Sequence, residues 1–121
     1  MLYQLLAQIR KRPALYINRK SVLSLELFLL GFFTAQTAYK VPVDPDTQAF
    51  AEFQDWLVKQ YNDHSNRSWA EIIHTQVNDE IQGFDLFFTL LDQYKMECDT
   101  TNNQKRAPQA TEPVVQLMEF A

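Results

Sequence analysis

The residue types able to do chemistry are few in this chain and poorly matched to one another. Glu71 and His74 stand three positions apart, the spacing used by carboxylate-bridged di-iron bundles. Such a centre needs a second Glu-x-x-His pair and two more glutamates on neighbouring helices. This chain has one pair, and His64 is its only other histidine, fewer ligands than a metal site requires. Cys98 and His74 are the one arithmetic possibility for a thiol nucleophile, but nothing in the sequence places them together or lowers the thiol pKa. A small half-buried cysteine at a helix end is the simpler reading. Asp79-Glu80, or Asp85 with Asp92, could be paired as acid and base; without a pocket they read as a solvated face. Two glycines in 121 residues leave no Gly-rich phosphate loop. The residues therefore assign no catalytic group, no metal ligand and no cofactor site, and the chain reads as a non-enzyme.

Charge offers a different chemistry. The formal net charge is −4, but positions 1–40 hold six basic residues and one acid, while positions 41–121 hold five basic residues and fourteen acids. The first stretch carries the cluster Arg10-Lys11-Arg12 with Arg19 and Lys20, enough to contact phosphate. No nucleic-acid motif accompanies it and the pI is about 5.0, against the basic character of such domains. The acidic remainder can steer a basic partner, although a face that only keeps the protein soluble is the commoner explanation.

The elements that must position these groups read as helices. Leu2, Leu5, Leu6 and Ile9 recur at helical spacing, and Pro13 disfavours helix at Arg12, followed by a connector whose Leu15, Tyr16 and Ile17 tuck against the core. Residues 21–39 form the stretch around which the rest is arranged. Their large apolar side chains point in almost every direction when wound as a helix, the mark of a core helix or a membrane span. A span needs about 20 apolar residues, and the charge-free run here extends only from Leu27 to Tyr39, so a buried central helix of a soluble bundle is expected. Ser21 is its N-cap. Ser24 and Gly31 share a side where a neighbouring helix would approach closely, so Gly31→Leu should overpack that contact.

Pro42 and Pro45 mark a loop, and Asp44-Pro45 supplies a cap with proline at the first helical position. Phe50, Phe53, Trp56, Leu57 and Tyr61 then trace one amphipathic stripe. Ser68 to Glu71 reads as a capping box. Beyond it Ile73, Val77, Ile81, Phe84, Phe88 and Leu91 keep one helical phase across a possible break at 76–79, so one kinked helix and two successive helices both fit. Positions 99–113 hold two prolines and no aliphatic or aromatic side chain larger than alanine, and read as a mobile arm or long loop. Val114 to Phe120 turns apolar again, to dock on the bundle or to join a partner contact. The expectation is an all-α, single-domain bundle of about five helices around residues 21–39, with domain limits 1–98 and an arm 99–121. The single cysteine cannot form an internal disulfide, and residues 1–12 do not have the layout of a signal peptide, so a cytoplasmic protein is expected.

The strings Arg12-Pro13-Ala14-Leu15-Tyr16, Ser21 to Leu25 leading into Phe28 to Phe32, Phe53 to Leu57, Ser68 to Ile73 and Gly83-Phe84-Asp85-Leu86-Phe87-Phe88 resemble a group of small all-α bacterial proteins. These are immunity proteins of contact-dependent growth inhibition and other polymorphic toxin systems. The resemblance spans residues 10–95 and rests mostly on core and cap positions, which identify a fold more securely than a task. It implies a non-catalytic inhibitor of a cognate toxin C-terminal domain, often a nuclease, with no membrane partner and no cofactor. An acidic partner can cover a basic substrate-binding surface. Asp79, Glu80, Asp85 and Asp92 are the expected toxin-binding residues, and reversing Asp85 and Asp92 to lysine should slow association. The alternative is a helical regulatory or nucleic-acid-binding module using the Arg10 to Lys20 cluster.

Overall fold

Leu2, Leu6 and Ile9 fall on one side of the first helix, α1 (Leu2–Lys11), and all three are buried. A computed structural model describes the backbone of residues 1–109 and the side chains of residues 1–100. The described residues form seven α-helices and no strand, so the chain is all-α. Proline ends α1 as expected but also begins a helix, α2 (Pro13–Ile17), because its fixed φ suits a first turn. Of the connector residues expected to tuck inward, Ile17 is buried and Leu15 stands 69% exposed.

The long apolar helix, α3 (Val22–Ala38), starts where Ser21 accepts a hydrogen bond from the Ser24 N–H at 3.1 Å. It is not surrounded. Val22, Leu25, Leu29 and Gln36 are buried, whereas Leu27 and Leu30 are 69% and 60% exposed. Periodicity reports which residues are apolar, not how many neighbours are available to cover them, and α3 packs against α2 and the later helix α6 (Trp69–Val77) only on part of its circumference. Gly31 likewise has open space: a Cβ there would meet nothing within 4 Å. The close approach lies at Gly83, where a Cβ would come within 2.9 Å of Val22 Cγ1.

The aromatic stripe divides into α4 (Pro45–Phe50) and α5 (Phe53–Tyr61). At the joint Glu52 N–H bonds to the carbonyl of Ala49 at 3.2 Å and Glu52 adopts φ −96°, ψ 2°, a tightened turn that keeps Phe50 and Phe53 stacked at 5.3 Å. Their rings meet Trp69 of α6 and Phe87 of the last helix, with Trp69 and Phe87 at 5.0 Å and Phe53 and Phe87 at 5.7 Å. Each such pair adds about 0.5–1.5 kcal/mol to the burial of its rings. The Ser68–Glu71 capping box is present in both directions. Asn78 adopts the left-handed conformation, φ 50° and ψ 39°, a helix-ending geometry that asparagine tolerates, so two successive helices occupy this region.

The second of them, α7, runs Glu80–Gln109. It carries helix across positions expected to begin an irregular arm at Asp99; adding residues to a formed helix is far easier than nucleating one. By packing, the chain divides into two units, Met1–Leu90 and a second beginning at Leu91. The apolar end Val114 to Phe120 lies outside the described residues.

Two substitutions separate the glycines. Gly31→Ala is expected to raise stability by about 0.5–1 kcal/mol through helix propensity, and Gly83→Leu to lower it by about 1–3 kcal/mol through overpacking, both read by urea unfolding. Asp44, the N-cap of α4, accepts hydrogen bonds from the Thr47 hydroxyl and from the backbone N–H groups of Leu2 and Thr47. These, the Thr47 hydroxyl first, together with the Met1 ammonium at 3.1 Å, hold its carboxyl well below its ordinary value of 3.8 against the opposing effect of burial. A depressed carboxyl stabilises above the unfolded-state pKa and loses that contribution as pH falls below about 4 toward the folded-state value. Asp44→Asn keeps a capping oxygen and is expected to flatten the acid limb of stability measured between about pH 4.5 and pH 2.

Candidate functional site

The groups singled out by chemistry have local structural duties. Glu71 accepts the Ser68 N–H at 3.2 Å as half of the capping box. His74, one turn on, is half-buried with a shielded Nδ1 that lacks a hydrogen-bond partner. His64 meets Asn62 Oδ1 at 2.9 Å within the turn after α5. Cys98 is half-buried on the second unit's part of α7. Among the described residues no three His, Cys, Asp or Glu side chains are arranged to hold a metal ion, and no helix is long and apolar enough to cross a membrane.

Two of the four expected toxin-binding acids, Glu80 and Asp85, meet cations of this same chain. Asp79 Oδ1 accepts the Gln82 N–H at 2.8 Å at the start of α7. Glu80 Oε1 accepts from the buried Ser21 hydroxyl at 2.7 Å and from the Arg19 guanidinium at 3.2 Å. Asp85 pairs with Lys20 Nζ at 3.3 Å. Asp92 is exposed and belongs to the second unit. The basic cluster is thus partly spent on the protein's own surface, where Arg10 also lies over the Phe88 ring at 5.1 Å. Two residues of the basic stretch, Arg19 and Lys20, meet acids 61 and 65 positions away.

Sequence reasoning missed the apolar surface between Leu27 and Val43. Leu27, Leu30, Tyr39, Val41 and Val43 are all exposed. Two recesses open on it, sharing Phe33 as their common wall. One, of about 260 Å³, is lined by Phe33, Gln36, Val41, Val43, Thr47 and Phe50 among others. Gln36 is 8% exposed, and its Nε2 is shielded by the protein without a hydrogen-bond partner. The other recess, of about 410 Å³, is lined by Leu27, Leu30, Phe33, Trp69, Glu26 and Glu71 among others. The available signal was Val41-Pro42-Val43, apolar residues in a loop directly after an all-round apolar helix.

The chain matches no known family model, no curated protein and no solved structure.

The polar junction should show unequal members. Exposed ion pairs contribute about 0–1 kcal/mol, whereas Glu80 also satisfies a buried hydroxyl, worth about 1–3 kcal/mol when its partner is lost. Urea unfolding is expected to rank Glu80→Ala clearly below Asp85→Ala in stability, with Asp85→Ala within about 0.5 kcal/mol of the parent.

Proposed function

We propose that the chain is an immunity protein that binds and neutralises a cognate toxin domain of a contact-dependent inhibition system in the cytoplasm, with a nuclease as the first candidate toxin. The observation that carries this reading is the set of exposed apolar residues Leu27, Leu30, Val41 and Val43 beside two recesses that share Phe33. A contiguous apolar surface on a small domain marks an interaction site, and fully burying each leucine or valine contributes about 1.5–3 kcal/mol. The resemblance to immunity proteins supports it from the sequence side: its strings include the Ser68 capping box and the rings of Phe53, Trp69 and Phe87, which organise the helices. The pairing of Arg19 and Lys20 with Glu80 and Asp85 weighs against a nucleic-acid-binding module built on the basic cluster, because phosphate would have to displace those acids.

Co-expression with the toxin C-terminal domain encoded immediately upstream is expected to rescue growth and to yield a copurifying complex. Salt-sensitive retention on DNA or heparin, with no rescue, would favour the nucleic-acid module instead.

A further inference from the structure

We draw no further inference here: the strongest candidate, the exposed apolar face of α3 with the two recesses that share Phe33, carries none, because nothing in the structure shows what covers it.

Discussion

The arrangement turns on one close contact, the backbone of Gly83 against the side chain of Val22. A Cβ at Gly83 would stand 2.9 Å from Val22 Cγ1 and 3.9 Å from the His74 Cα, so only glycine lets α7 start this near to α3 and α6. Val22 is wholly buried and β-branched, with little rotameric freedom to yield. Around this contact the polar groups fall into register. Ser21 caps α3 and donates to Glu80, while Arg19 and Lys20 reach the acids of α7 from the turn just before the cap. The ring cluster of Phe50, Phe53, Trp69 and Phe87 then fixes α4, α5 and α6 on the same helix.

Two consequences follow for function. Two of the acids expected to form a docking face, Glu80 and Asp85, are drawn into the junction and paired there with Arg19 and Lys20. Anchoring α3 by Val22, Leu25 and Leu29 at its N-terminal half leaves Leu27, Leu30 and the run to Val43 without cover. Exposed ion pairs contribute little, whereas exposed apolar surface represents a larger unspent interaction. The proposed division of labour places internal cohesion on the α7 acids and recognition on α3.

What could be seen in the sequence was local. The spacing of Leu2, Leu6 and Ile9, the Asp44-Pro45 start, the Ser21 cap and the Ser68–Glu71 box each depend on residues within a turn or two, and each forms as expected. What could not be seen depends on tertiary neighbours. An all-round apolar helix was expected to be buried because composition does not reveal that helices cover only part of α3. Gly31 and Gly83 are indistinguishable as letters, and only the placement of Val22 decides which one permits a close approach. The pairing of Arg19 with Glu80 spans 61 positions, so residues that read as parts of two separate charged faces meet at one junction. Gln36 gave no signal at all, being a single polar residue near the end of a helix.

On the proposed function, the toxin domain covers the exposed apolar residues between Leu27 and Val43. Hydrogen–deuterium exchange of the full chain, with and without the upstream-encoded toxin domain, addresses it directly. Slowed exchange concentrated in the last turns of α3 and the loop through Val43, with residues 79–92 unchanged, is the predicted result. Protection confined to residues 79–92 would contradict it.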